Sequence, residues 1–167
     1  MWGDILMQHP EILKKLPKDI LIGTWNYDDK DTFEEFISPL RNTGHELWVV
    51  PGVLNSSRIY PDFDKAFSNI KVFGEEGFEA GASGVLNCFW DDGSTGLFSN
   101  DWYGAAYGAD KSWNYQSDDQ NFDLRYSRGS LASADGRFPE AISKINELRF
   151  LELTDGMKDR FLFTKIV

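Results

Sequence analysis

The sequence has little of what several common kinds of functional site require. Its single cysteine, Cys88, cannot form a disulfide within the chain, and two histidines without a second cysteine give no recognisable zinc-binding spacing. Lysine and arginine form no cluster, and the formal net charge of −10 argues against nucleic acid. No apolar stretch approaches the roughly 20 residues of a membrane helix. We therefore expect no metal, no cofactor, no nucleic acid and no membrane partner.

The composition is that of a single folded unit. Of 167 residues, 41% are hydrophobic and 15% are aromatic, which is enough for one sizeable core and too little for two ordinary domains. A negatively charged surface favours neutral or cationic ligands. The cell compartment stays open.

Apolar segments typical of strands alternate with segments of helical period. The strand candidates are "DILIGTWNY" (19–27), "ELWVVPG" (46–52) and "GVLNCFW" (84–90). Two stretches between them carry apolar residues at i, i+3, i+4 and i+7: Phe33, Phe36, Ile37 and Leu40, then Phe63, Ala66, Phe67 and Ile70. This alternation predicts βα units around a parallel sheet.

The last third of the chain has a different pattern. Residues 117–137 are polar and rich in Gly and Ser without a clear period, which predicts a long loop or a partly ordered excursion. Helical spacing resumes over 138–148, and a short apolar segment, 160–167, closes the chain. We expect a βα part over residues 1–115 and a loop and helical C-terminal extension over residues 116–167.

Aromatic and polar side chains follow each predicted strand. They are Trp2-Gly3-Asp4, Trp25-Asn26-Tyr27-Asp28, the loop 51–55, and Trp90-Asp91-Asp92-Gly93. Ligands bind at the carboxyl edge of parallel strands, so these side chains are expected to converge. Aromatic rings beside carboxylates suit a sugar, whose apolar face packs on an indole while its hydroxyls donate to acids. A single tryptophan at a strand end is also commonly a core residue, and only the repetition favours a site.

Four stretches carry a resemblance to a known family: "WGDILMQHPEILKKLPKDILIGTWNY", "WVVPGVLN", "GASGVLNCFWDDG" and "YGADKSWN". In order and spacing they resemble the second half of the catalytic barrel of family 20 glycoside hydrolases, the β-N-acetylhexosaminidases. The resemblance covers about residues 1–115. It implies an α/β fold, a partial TIM barrel of about the last four βα units with parallel strands.

The resemblance also implies which residues contact the sugar. Tryptophans from successive strands wall the pocket in that family, and Trp2, Trp25 and Trp90 occupy the corresponding places. Asp92 stands where an acid binds the outer hydroxyls of the sugar. The remaining candidates are Asp4, Tyr27 and Asn55, of which Asn55 lies in a loop that matches only loosely. Trp102, Tyr103 and Tyr107, after the last strand, either form an outer subsite or attach their helix to the barrel.

One part of the family pattern is absent. Family members act by a substrate-assisted retaining mechanism, in which an Asp orients the acetamide and the adjacent Glu protonates the leaving oxygen. That Asp-Glu pair follows the fourth strand in the family, and this sequence contains no Asp-Glu dipeptide. We therefore expect no catalytic residue here, and an isolated chain that is inactive.

Three functions stay open at this stage. The chain is part of an N-acetylhexosaminidase that supplies the pocket wall, a catalytically inactive carbohydrate-binding module, or a structural or assembly segment without a ligand. Four strands cannot close a barrel and would leave an apolar face uncovered. The expected partners are accordingly an amino-sugar-containing glycan, and either a missing N-terminal half-barrel or a second copy of the chain.

Overall fold

The computed structural model of the protein describes residues 1–53, 55, 60–90, 96–133, 135 and 137–147. Two predictions fall outside these residues: the substrate contact at Asp92 and the closing segment 160–167. Within the described ranges, no helix is long and apolar enough to cross a membrane.

The strands are short and parallel, and they follow one another in space as they do along the chain. They are β1 (Leu21–Trp25), β2 (Glu46–Val50), β3 (Gly52–Val53), β4 (Gly84–Val85) and β5 (Cys88–Phe89). β1, β2 and β4 form a sheet in that order, and β3 pairs with β5. The pairings Trp48 with Gly84 and Gly52 with Cys88 keep one register, so β3 and β5 continue β2 and β4 beyond a short interruption. Trp2 adds a further parallel bridge beside Gly23.

Six α-helices accompany the strands in the described part of the chain. They are α1 (Asp4–Gln8), α2 (Glu34–Ile37), α3 (Phe63–Glu79), α4 (Trp102–Trp113), α5 (Phe122–Ser130) and α6 (Arg137–Glu147). Short 3₁₀ helices cover Pro10–Lys14, Phe98–Asp101 and Asp119–Asn121. The protein is therefore a mixed α/β fold with parallel strands.

Among the residues that the structure describes, the helices cover one face of the sheet and leave the other uncovered. Ile22, Leu47 and Val49 point to this face and join a core cluster with residues of α1, α2 and α3, including Phe33 and Phe73. Side chains alternate between faces along a strand, so Gly23, Trp25, Trp48 and Val50 point the other way. On that second face the Trp2 ring packs on Gly23, where an added Cβ would lie 3.2 Å from the ring.

A second core cluster joins the later helices to α3. Phe63, Tyr103, Tyr107 and Phe122 are buried in it, and Phe67 stacks on Tyr107 with ring centroids 3.8 Å apart. Tyr103 and Tyr107 therefore attach α4 to α3, which is the second of the two interpretations of these tyrosines.

Two local predictions need correction. The loop predicted over residues 117–137 contains α5, because Phe122 and Tyr126 lie one turn apart and both pack against Tyr103, a contact that no local period reveals. The first amphipathic stretch is helical only over Glu34–Ile37. Pro39 comes two residues after Ile37, and a proline cannot donate the backbone hydrogen bond that would extend the helix. The apolar positions Phe33, Ile37 and Leu40 are nevertheless buried as expected. The division of the chain at residue 115 stays a prediction.

An ionic cluster centred on Asp119 joins three elements. Lys71 of α3 donates to Asp119 at 2.7 Å, and Lys111 of α4, whose side chain is only 3% exposed, forms an ion pair with the other oxygen. The Tyr107 hydroxyl also donates to Asp119, at 3.1 Å. Burial disfavours the charged carboxylate, but the hydrogen bonds from Lys111 and Lys71 outweigh burial and lower the pKa of Asp119. The cluster therefore stabilises the fold while Asp119 is ionised.

Asp119→Asn is expected to lower the free energy of unfolding at pH 7 by about 1–2 kcal/mol, because it removes the counter-charge of buried Lys111 at a site that is partly exposed. Urea denaturation measures this difference. Since the folded pKa lies below the unfolded value of 3.8, the stabilisation is complete above that value and is lost as the pH falls through the folded pKa. The difference between the two proteins should therefore shrink in acid. Asp19→Asn, on an exposed residue, is the matched control, and an equal effect of both variants would contradict the role of the cluster.

Candidate functional site

Three aromatic side chains meet on the uncovered face at the carboxyl end of the strands. Trp25 ends β1, Tyr27 follows two residues later, and Trp90 follows β5. The Trp90 indole Nε1 donates to the Tyr27 hydroxyl at 2.7 Å, and the Trp25 and Tyr27 rings lie 5.3 Å apart between centroids. Trp25 and Trp90 are 36% and 47% exposed. The three side chains, called the aromatic cluster below, present two accessible indoles held by a central tyrosine.

Gly52 gives Tyr27 its place in this cluster. Gly52 begins β3 and pairs with Cys88 of β5 on one side, while the Tyr27 ring lies close to it. A Cβ added to Gly52 would lie 2.6 Å from Cδ1 of the Tyr27 ring. A real Cβ does not approach carbon so closely, so only glycine lets the phenol lie flat across this strand. The hydroxyl then reaches the indole of Trp90 on the far side.

Asn55 fixes the backbone of Trp90. Its side chain is buried, its Oδ1 accepts from the Trp90 backbone N–H at 3.2 Å, and its Nδ2 donates to Asp101 at 3.0 Å. Both ends of the amide are therefore engaged within the protein. The geometry gives Asn55 a role in positioning Trp90, and its direct contact with a ligand stays a prediction.

Asn69 of α3 fixes the loop that carries Tyr27, and sequence reasoning did not single it out. The residue is fully buried. Its Nδ2 donates to the carbonyls of Asn26 at 3.0 Å and Asp28 at 2.8 Å, and its Oδ1 accepts from the Gly52 N–H at 3.0 Å. The sequence did contain a signal for this role. Asn69 is a polar residue in the apolar stripe of α3, three residues after Ala66 and one before Ile70, where the helical period predicts a buried side chain.

Tyr27 and the neighbouring Cys88 are neutral near pH 7. Burial raises the pKa of the Tyr27 phenol well above its usual range, the hydrogen bond from Trp90 opposes this, and the neighbouring Cys88 raises it further. Burial also raises the pKa of the Cys88 thiol, which interacts with both Tyr27 and Trp90. Neither group is a nucleophile in this state, since the thiolate is the reactive form of cysteine. Tyr27 and Cys88 therefore present no charge to a ligand near pH 7.

The two remaining candidates are Trp2, which forms the parallel bridge beside β1, and Asp4, which follows it in the chain. Trp2 is 46% exposed and packs on Gly23, two residues before Trp25 in β1. Asp4 begins α1, and its Oδ1 is buried without a hydrogen-bond partner among the residues that the structure describes. The Trp2 ring therefore lies on the same face of the sheet as the cluster, but no described contact joins Trp2 or Asp4 to it.

A groove of about 530 Å³ lies elsewhere, between α3, α4, α5 and α6. Several of its polar lining residues have partners within the protein: Asp119 pairs with two lysines, Tyr103 donates to Asp123, and Asn146 donates to Asp64 at 2.7 Å. In the described ranges, no group of three or more His, Cys, Asp or Glu side chains is arranged to hold a metal ion.

Comparison of the sequence with protein-family models and with curated proteins gives no match.

Asn69→Ala is expected to lower the free energy of unfolding by about 2–4 kcal/mol, because it leaves one N–H and two carbonyl groups without their buried partner. It should also release Tyr27 and so change the tryptophan emission of the folded protein. Urea denaturation and fluorescence spectra measure both effects. Asn121→Ala, which removes one exposed hydrogen bond to Asp118, is the control. An unchanged emission spectrum in folded Asn69→Ala would show that Asn69 does not position the cluster.

Proposed function

We propose that this chain supplies the sugar-binding wall of a glycoside-hydrolase-type barrel that acts on terminal N-acetylhexosamine residues. The observation that carries the proposal is the aromatic cluster, in which two exposed indoles and a tyrosine from two strand positions are held together on the uncovered face. The apolar face of a pyranose packs on an indole, so such a surface suits a sugar ring. The resemblance to family 20 supports the same class of ligand from the order of the motifs.

The sheet topology supports the partial-barrel arrangement. Trp2, β1, β2 with β3, and β4 with β5 give four parallel strand positions in chain order, with helices on one face only. Sequential parallel strands covered by helices on a single face are what a (βα)8 barrel has, whereas a doubly wound sheet has helices on both faces. In such a barrel the uncovered face becomes the interior, and the aromatic cluster lies at its carboxyl mouth.

The roles within the proposed site follow from the contacts. The Trp90 N–H is occupied by Tyr27, so Trp90 offers a ligand its ring face. Trp25 offers a second face beside it. Tyr27, neutral and hydrogen-bonded, fixes both rings, while Asn55 and Asn69 hold the backbone segments that carry them. Asp4 and Asp92 are the proposed acceptors for sugar hydroxyls.

Catalysis requires groups from outside this chain. The substrate-assisted mechanism needs an adjacent Asp and Glu, and the sequence has no Asp-Glu dipeptide. The same observation favours the second candidate, a carbohydrate-binding module that does not hydrolyse its ligand. The two candidates share the sugar site and differ in what completes the barrel.

N-acetylglucosamine is expected to bind the chain and change its tryptophan fluorescence. Trp90→Ala and Trp25→Ala should each weaken binding about tenfold or more, because a stacking surface worth 1.4 kcal/mol corresponds to a factor of ten. Isothermal titration calorimetry measures the dissociation constants. Trp113→Ala is the matched control. Trp113 is the last residue of α4, whereas β5 precedes the first turn of that helix, and its side chain is almost fully exposed. A wild-type chain that does not bind the sugar, or a Trp90→Ala variant that binds it normally, would refute the site.

A chromogenic N-acetyl-β-glucosaminide is expected to remain intact with the isolated chain, because the chain lacks the Asp-Glu pair. Release of the chromophore is followed by absorbance, with and without an added N-terminal half-barrel that carries the pair. Turnover only in the mixture would support the hydrolase over the binding module. Turnover by the chain alone would contradict the absence of its general acid.

A further inference from the structure

A second pair of exposed aromatic side chains lies outside the aromatic cluster. Phe98 belongs to the 3₁₀ helix that precedes α4, and Trp102 is the first residue of α4. Their rings meet edge to face with centroids 5.7 Å apart, and the two residues are 62% and 58% exposed. In the part of the chain that the structure describes, Trp102 belongs to neither core cluster. Attachment of the helix, which explains the two tyrosines of α4, therefore does not explain this tryptophan.

The first turn of α4 lies at the carboxyl end of the strands. Gly104, two residues after Trp102, packs on the last residue of β3, since an added Cβ would lie 2.4 Å from Cγ2 of Val53. One turn later, Gly108 packs on Asn87, which precedes β5. The helix therefore runs from the carboxyl edge of the sheet toward its amino end. Its first residue lies at the same end of the sheet as the aromatic cluster.

One buried amide couples this helix start to the aromatic cluster. Oδ1 of Asn55 accepts from the backbone N–H of Trp90, and Nδ2 of the same side chain donates to Asp101, the residue before Trp102. Asn55 and Asp101 are each only 5% exposed. Breaking either hydrogen bond would leave a buried polar group unsatisfied, which is costly. A single side chain thus holds the backbone of Trp90 and the turn that carries Trp102 in a fixed relation.

A groove of about 480 Å³ continues from Trp102 between α4 and α5. Three alanines of α4, at 105, 106 and 109, line it together with the Trp102 ring and the hydroxyl-bearing residues Tyr126 and Ser130. Burial raises the pKa of the Tyr126 phenol, which is therefore a neutral group near pH 7. An indole beside hydroxyl groups and small side chains is suited to a sugar ring, as in the aromatic cluster.

We propose that Phe98, Trp102 and this groove form an outer subsite for the sugar residue next to the one on the aromatic cluster. The inference rests on the proposed function, because the inner sugar is the N-acetylhexosamine of that site. The ligand is then a glycan of at least two residues. Its terminal residue packs on the indoles of Trp25 and Trp90, and its neighbour packs on Trp102. The subsite is the same whether the chain belongs to a hydrolase or to a binding module.

The affinity difference between a monosaccharide and its dimer tests the outer subsite. We expect N,N′-diacetylchitobiose, the dimer of N-acetylglucosamine, to bind about five- to tenfold more tightly than the monosaccharide, because one added aromatic contact corresponds to about that factor. Isothermal titration calorimetry measures both dissociation constants. Equal affinities would overturn the outer subsite and leave the inner site intact. A chain that binds neither sugar would refute the proposed function, and the outer subsite with it.

Trp102→Ala separates the two sites. It should reduce the affinity for the dimer to that for the monosaccharide and leave monosaccharide binding unchanged, whereas Trp90→Ala should weaken the binding of both sugars. Trp102→Phe, which retains an aromatic ring, should keep part of the preference for the dimer. Trp113→Ala is again the matched control. Trp113 lines a different groove with Val85 of β4, at the amino end of the sheet, and its loss should change neither dissociation constant.

Far-UV circular dichroism and urea denaturation show whether each variant is folded. If Trp102→Ala does not fold, Ala105→Arg is the second variant, since it places a long side chain in the groove one turn after Trp102 and should also remove the preference for the dimer. A folded Trp102→Ala variant that keeps the full preference overturns the subsite. The same holds for one that binds both sugars normally but associates less tightly with an N-terminal half-barrel, because Trp102 is then a packing residue of the barrel.

Discussion

The buried amide of Asn69 is the interaction on which the arrangement of the site depends. A polar group inside the core is costly unless its hydrogen bonds are made, and Asn69 makes three, to the loop after β1 and to Gly52. These contacts fix the backbone on both sides of Tyr27 and so fix the position from which its side chain extends. Tyr27 in turn receives the Trp90 indole N–H across the glycine. One residue of the first long helix thus determines how side chains from two strand positions meet.

The polar groups around the described aromatic rings are engaged within the protein or neutral. Burial keeps the Tyr27 phenol and the Cys88 thiol protonated, and Asn55 is held within the protein at both ends of its amide. Among the described side chains of the cluster, what remains accessible is aromatic surface. This surface is what the proposed sugar site depends on.

Much of the local structure was predictable from the sequence. The strands β1, β2, β4 and β5 and the long helix α3 lie where apolar runs and helical spacing predict them, because these patterns reflect which side of an element is buried. The tryptophans were recognised as candidates because they recur at the ends of the predicted strands, where ligands bind parallel sheets. Helix α5 was missed because its polar sequence has only Phe122 and Tyr126 to anchor it, and their partners come from other elements.

The sequence by itself determined the order of the elements, the parallel sheet and the residue types at its carboxyl edge, since each depends on neighbours in the chain. The tertiary structure alone decided that Tyr27 is the centre of the cluster, that Asn55 holds Trp90 from behind, and that Asn69 fixes the loop 43 residues before it. A hydrogen bond between residues so far apart leaves no period in the sequence. It forms only after the helix and the sheet have packed together, which is why the geometry of the site could not be predicted from the pattern that identified its members.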